Sequence, residues 1–383
     1  MCKTRLLISI ICSALFIQGC LVRNSDVEPE PIAVLPKDVK SILNDIPSYT
    51  RFSFTSLSFF NRQLYVGTNV GLLEFQNDRL IRLNKWNDRG DVIDNVLGDT
   101  STESLWLYHS GIGRFVRFDG ARWDFVELPI PESGHYTRGD ALRGVSFLGN
   151  IRGLWMQRGD HPWRWDNDKK GWSPVAIPAL QCTFVVDDDV YDDIGCFSTV
   201  APFGSTEFVI MHRRFVDQID FSNKSYLSTF PSDSVFYQKN GSWDTLSTET
   251  FKSLITKNVV ISNDAAFIQS FDDSLFRLSD LQITSIETLG EIDAMTTTTQ
   301  GNLLVSFRNL GIYEYNNGWV KKFDCPYPST EPEHFAQIAE DNGQVALAIS
   351  AKPFGPGPDF QYLGQTALWI SDESKMKRIP FPQ

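Results

Sequence analysis

The chain has 383 residues, 42% of them hydrophobic and 21% charged, which excludes disorder throughout and a multi-pass helical membrane protein. Lys and Arg total 35 against 47 Asp and Glu, a formal net charge of -12, so no nucleic-acid partner is expected, since that role needs a basic footprint. Aromatic residues reach 13%, a composition suited to many short strands with large side chains packed between sheets.

In chain order, residues 1–19 read as a secretory signal. Lys3 and Arg5 precede an apolar run from Leu6 to Ile17 that is too short to span a bilayer. The run ends at Ile17-Gln18-Gly19-Cys20, which resembles the lipobox of bacterial lipoproteins, with Gln18 standing where the family usually has a smaller residue. The resemblance implies cleavage before Cys20, a diacylglyceryl thioether on its sulfur, and an acyl chain such as palmitate on the new amine. Leu21 follows, not Asp, and in the enterobacterial sorting pattern that implies the outer membrane. The expected address is therefore the cell envelope, with the membrane itself as the first partner. Residues 20–50 hold several Pro and acids and are expected to form a tether. Within them, Asp38–Ile46 stays open between a short helix and an extended linker.

Residues 51–383 repeat one unit. An apolar strand is followed by a polar turn with Gly, an aromatic strand, a second turn and a closing strand. Full copies are LYVGTNVGLLEFQNDRLIRL at 64–83, LWLYHSGIGRFVRFDGARWDFVEL at 105–128, GLWMQRGDHPWRWDNDKKGWSPVAI at 153–177 and LLVSFRNLGIYEYNNGWVKKF at 303–323. Opening strands start near Leu64, Leu105, Gly153, Glu207, Ala266, Leu303 and Val345, and another apolar stretch, such as Phe54–Phe60 or Phe335–Ala339, precedes most of them. Each unit is thus a four-stranded antiparallel meander that cannot bury both faces alone. Radial stacking buries both, and ring closure leaves no open end. The expected fold is all-β, a seven-bladed β-propeller, with eight blades as the alternative because 181–250 is long enough to hold one more. Asp119-Gly120, Asn240-Gly241 and Asn317-Gly318 supply turn residues that accept φ > 0. Most of the tryptophans recur at unit positions and are expected to pack between blades.

The stretch LYVGTNVGLLEF, through Leu64, Tyr65, Gly67, Thr68, Gly71, Leu72 and Phe75, resembles the propeller repeats in sensor domains of bacterial two-component regulators. An anchor followed by a ring is also similar to the outer-membrane assembly lipoprotein with a PQQ-type propeller. These resemblances imply architecture and do not choose a function.

No Walker loop, Rossmann fingerprint, HExxH or GxSxG element occurs. Of five histidines, His109 and His161 fall in turns after opening strands, without short metal-ligand spacing. Cys2 and Cys12 leave with the signal and Cys20 takes lipid. In an oxidising compartment a Cys182–Cys196 disulfide is expected, with Cys325 a buried thiol. Between Cys182 and Cys196, the acids Asp187, Asp189, Asp192 and Asp193 are oxygen ligands that calcium could use, although a solvated acidic loop accounts for the same run. A candidate binding surface comprises Arg158, Trp163, Arg164 and Trp165 of the third unit. It continues in Phe354, Phe360 and Tyr362 of the Pro/Gly-rich insertion 351–364, through which no regular strand is expected. The 189–206 stretch reads as a second insertion. The function expected is a non-catalytic envelope lipoprotein whose ring binds a protein or glycan, without a cofactor. The alternative is a glycan lyase or hydrolase using paired carboxylates near the ring axis.

Overall fold

The computed structural model describes residues 37–38, 52–83, 92–109, 114–127, 145–150, 153–158 and 161–175, strand segments between 184 and 246, and residues 256–379 with short gaps. The signal, Cys20 and most of the tether lie outside the described residues.

The fold is an all-β propeller of four-stranded antiparallel blades. In the first blade, Phe54–Phe60 pairs with Gln63–Thr68, then Gly71–Gln76, then Arg79–Arg82. The same sequential order recurs over 93–126, 145–174, 256–286 and 292–323, and in the last blade over 334–379. The preceding apolar stretches are the innermost strands, for example Ile93–Asp99 and Ile292–Thr297.

Side chains alternate between the two faces of each strand, so each blade packs against both neighbours. In the second blade Leu105 and Leu107 pack toward the first blade, with Tyr65, Leu72 and Val96. Trp106 between them packs toward the third, with Leu154, Met156, Trp163 and Trp165. In the 292–323 blade Leu303, Val305 and Phe307 face the blade before, and Leu304 faces the last blade. The ring closes where Leu64, Val66 and Leu73 of the first blade meet Ala346, Ala348 and Leu368 of the last.

Innermost strands have a partner on one side only, which leaves backbone groups to satisfy. Hydroxyls of the neighbouring blade meet them. The Val96 and Gly98 amides donate to Ser56 Oγ and Ser58 Oγ at 2.6 and 2.8 Å. The Thr297 hydroxyl donates to the Ile261 carbonyl at 2.8 Å. At the closing seam, the Phe54 amide donates to Ser350 Oγ at 2.7 Å, and the same hydroxyl donates to the Phe54 carbonyl at 3.1 Å. Register shifts recur near the start of four innermost strands, at Phe54/Ser56, Ile93/Asn95, Thr256/Asn258 and Ile292/Ala294, as β-bulges do where a strand must bend.

Four readings need correction. Against the expected seven blades, or eight, the structure shows six with described side-chain packing. The shortfall falls at 181–250, where the repeat signature is weakest. There Cys196–Phe203, Thr206–Arg213, Ser234–Lys239 and Ser242–Leu246 form a further four-stranded sheet, of whose core no side chain is described. Second, 189–206 is not one insertion. Phe184–Val186 pairs with Asp189–Tyr191 and Cys196–Phe203 is the first strand of that further sheet, while the insertion is the small hairpin of Gln218–Ile219 with Tyr226–Leu227. Third, strand Gln344–Phe354 does run into the Pro/Gly-rich segment, and Gln361–Leu363 folds back onto it. Pro353 is tolerated because pairing there is one-sided. Fourth, the tether is not wholly separate, since Lys37–Asp38 pairs with Ile81 and Arg82 on the outer edge of the first blade.

Gly98 marks the closest approach of two blades, because a Cβ there would overlap the Phe59 carbonyl oxygen. Gly98→Ala is expected to cost about 3 kcal/mol or more, or to prevent folding. Gly318→Ala, with nothing within 4 Å of an added Cβ, should stay within about 0.5 kcal/mol. Chemical denaturation of the pair checks both.

Candidate functional site

One mouth of the ring is built from turns between first and second strands and between third and fourth strands. Two clefts lie side by side on it. The larger, of about 520 Å³, is lined by turns of the last, first and second blades: Asp341 and Asn342, then Asn61 and Arg62, then Gly98, Asp99, Thr100 and Glu103 with Asp119. The smaller, of about 380 Å³, lies between the last and first blades and is lined by Phe59, Arg62, Gln63, Phe75, Gln76, Asn77 and Gln344, with Leu64. Arg62 stands between the two.

The turns set these side chains. Asn61 and Arg62 both have positive φ, 51° and 62°, as do Asn77 and Asp78 at 49° and 62°. Paired left-handed residues make the tight hairpin turns whose twist suits antiparallel strands. Asn accepts this conformation readily. Arg does not, and the penalty at Arg62 is about 1 kcal/mol.

Asp99 organises the second blade's turn. Its Oδ2 accepts hydrogen bonds from the Ser101 hydroxyl at 2.7 Å, the Thr102 amide at 2.8 Å and the Thr102 hydroxyl at 2.6 Å. Thr102 Oγ1 in turn accepts from Trp106 Nε1 at 2.9 Å. Arg117 Nε donates to Ser104 Oγ at 2.8 Å and its guanidinium lies 5.8 Å from the Trp106 ring. Asp99 Oδ1 has no hydrogen-bond partner, and the residue is 2% exposed. Burial pushes its carboxyl above the ordinary carboxylate range, against the pull of the Thr102 and Ser101 bonds. Asp119, exposed on the same cleft, goes the other way. The Arg122 amide, followed by that of Ala121, holds its carboxyl low. The cleft thus holds one carboxyl shifted up and one shifted down.

The sequence-derived candidates fall elsewhere. Trp163 and Trp165 are each 6% exposed and pack in the seam with Trp106, the Trp106–Trp165 centroids being 4.7 Å apart. They are interior packing residues, because the alternation that aligns them points both at the neighbouring blade. Arg164 is exposed, 5.3 Å from the Trp155 ring. It lines a third cleft of about 380 Å³ with Ser101, Thr102 and Asp166, on the far side of the Asp99 turn. Arg158 ends strand Gly153–Arg158, Phe354 ends its strand and Tyr362 lies in Gln361–Leu363; the side chains of all three, and the whole of Phe360, lie outside the described residues. So do Cys182, Asp187, Asp192 and Asp193, while Asp189 begins a hairpin strand and Cys196 pairs with Arg213. Among the described residues there is no disulfide and no group of three metal-ligating side chains. Cys325 is a free thiol, half-buried, that donates to the Tyr327 carbonyl at 2.8 Å.

At the opposite end of the ring, Asp293 accepts from Arg308 Nε at 2.9 Å and from the Tyr327 hydroxyl at 2.7 Å. This partly buried cluster ties a loop to the innermost strand. Burial pushes the Tyr327 phenol far up, so it stays protonated. No signal in the repeat pattern marks this cluster or Asp99, because both depend on turns that the repeat leaves variable.

The class of protein is a β-propeller, and comparison with solved structures agrees. A catalytically inactive virginiamycin B lyase from Staphylococcus aureus, with quinupristin, shares 12% identity at TM-score 0.50, covering 82% of this chain and 95% of that one. A second virginiamycin B lyase structure from Staphylococcus aureus gives TM-score 0.46 at 13% identity, covering 78% and 96%. The extracellular domain of a one-component-system protein from B. thetaiotaomicron gives TM-score 0.46 at 12% identity, covering 83% of this chain and 43% of that one. At this identity the likeness to the first of these shows the fold alone. No family model matches the sequence, and no curated protein matches it.

Asp99 allows a signed pH test. A carboxyl raised in the folded state contributes stability that is present below its ordinary value of 3.8 and lost as pH rises through the raised value. Asp99→Asn keeps an acceptor for the turn and removes the buried charge. The variant should therefore gain on the wild type as pH rises from about 3 to about 7, read as denaturation midpoints.

Proposed function

We propose that this protein is a non-catalytic recognition propeller, held at the cell envelope by lipid on Cys20, whose mouth engages a protein or glycan. The observation that carries the reading is the composite mouth. Turns from three consecutive blades converge on adjoining clefts, where among the described residues no hydrogen bond engages the side chains of Arg62, Gln76, Asn77 and Gln344. A recognition surface needs such groups, and a merely structural turn does not.

The ring is completed, in this reading, by the 196–246 sheet as a seventh blade. Its innermost strand lies beside the third blade on one side and beside Thr256–Ile261 on the other. Hydrogen exchange of residues 196–213 should then be as slow as in the other innermost strands, and fast exchange throughout would remove it from the ring.

A second reading, a glycan hydrolase, draws on one observation. Asp99 and Asp119 line the same cleft with carboxyls shifted in opposite directions, the arrangement that separates an acid from a base. One experiment addresses both readings. Full-length protein is purified in detergent, used to capture partners from solubilised envelope, and assayed on envelope glycans. Stoichiometric capture without turnover supports recognition. Turnover that Asp99→Asn abolishes replaces it with the hydrolase. In the same cells, Cys20→Ala should move the protein from the membrane to the soluble fraction. Continued membrane association would sink the lipid anchor.

A further inference from the structure

The smaller cleft carries chemistry that neither the repeat nor the fold requires. Its lining includes the edges of two partly buried aromatic rings, Phe59 and Phe75, which pack against the core beneath. Its rim has three carboxamides, Gln76 and Asn77 from the first blade and Gln344 from the last, together with the Arg62 guanidinium. Gln63 is spent inside the blade on the Phe75 carbonyl. Arg62, Asn77 and Gln344 are exposed, and among the described residues no hydrogen bond or ion pair engages the side chains of these three or of Gln76.

Each group type narrows the ligand. Carboxamides both donate and accept, as vicinal hydroxyls require. The partly buried rings add a small apolar patch that can meet C–H groups of a sugar. An unpaired guanidinium offers a planar fork that matches a carboxylate. This cation is retained in a protein of formal charge -12, at a backbone position where Arg is disfavoured. Among the described residues no carboxylate lines this cleft, so neither an amine nor a metal ion is favoured there.

We propose that the cleft between the last and first blades binds a carboxylate-bearing sugar of a glycan. Arg62 pairs its carboxylate, Gln76, Asn77 and Gln344 hydrogen-bond its hydroxyls, and the small apolar patch of Phe59 and Phe75 borders its C–H groups. The proposal rests on the recognition reading and narrows it to an acidic glycan.

The test uses full-length protein in detergent with three probes in calorimetry: galacturonic acid oligomers, their methyl esters, and polyglutamate. The acid oligomers should bind, with the neutral esters at least 10-fold weaker. Arg62→Gly should lose at least 10-fold in affinity while unfolding no earlier than the wild type, since Gly suits the left-handed turn. Arg62→Lys should recover only part of the binding, because an ammonium lacks the fork. Should Arg62→Gly fail to fold, Gln344→Ala is read instead, and hydrogen exchange of the wild type must show oligomer protection at 59–63, 75–78 and 344. Equal binding of the esters, unchanged binding by Arg62→Gly, protection elsewhere, or no binding of any probe would overturn the proposal. Binding of polyglutamate in place of the sugar would reassign the cleft to acidic peptide. If envelope capture succeeds equally with Arg62→Gly, the recognition reading stands and this cleft assignment falls; if wild type captures nothing and binds no probe, both fall.

Discussion

The fold depends on how the innermost strands satisfy their outward backbone groups. A strand at the ring axis has a hydrogen-bonding neighbour on one side only, and the other side would leave amides and carbonyls unanswered. Short hydroxyl side chains solve this across three of the described seams. Ser56 and Ser58 serve the second blade, Thr297 serves the blade before its own, and Ser350 serves the first blade from the last. These side chains are small enough to let blades approach until Gly98 has no room for a Cβ. Each bond contributes about 1 kcal/mol net, and an unanswered buried amide would cost at least as much. Apolar burial supplies the larger driving force, but hydroxyls decide how the wedges register.

The architecture was legible because packing imposes a period. Alternating Leu105, Trp106 and Leu107 must face opposite neighbours, and this alternation together with Gly-containing turns repeats along the chain. The same logic foretold that most tryptophans pack inside, yet Trp163 and Trp165 still looked like an aromatic rim. Sequence shows that two residues share a face and does not show which blade covers it. The 181–250 region was read least well, because its strands are separated by hairpins that dilute the repeat. The recurring bulges were invisible for a different reason. A one-residue register shift leaves no compositional trace when polar residues as unlike as Thr55, Asp94, Lys257 and Asp293 occupy the skipped positions.

The clefts were the least legible feature. Arg62, Asn77, Asp99 and Gln344 lie in turns, where the repeat tolerates any residue that can bend. Their meaning comes from adjacency across blades, which depends on ring closure and cannot be read locally. Arg164 was singled out from sequence and does line a cleft on this face, although the tryptophans flanking it do not serve as expected. The turn network of Asp99, Thr102, Trp106 and Arg117 ties the cleft wall to the blade. One carboxylate oxygen holds the turn, while the other has no hydrogen-bond partner.

Among the described residues, each end of the chain builds its own complete blade, and neither lends a strand to the other. The join between beginning and end therefore has no backbone ladder across it. It holds by a shared hydroxyl at Ser350, a hydroxyl bond from Thr366 to the Phe52 carbonyl at 3.2 Å, and a run of alanines against leucine and valine. That makes the join the natural place for the circle to come apart under load, and it gives any molecule gripping Arg62 on one bank and Gln344 on the other the mechanical office of a clasp.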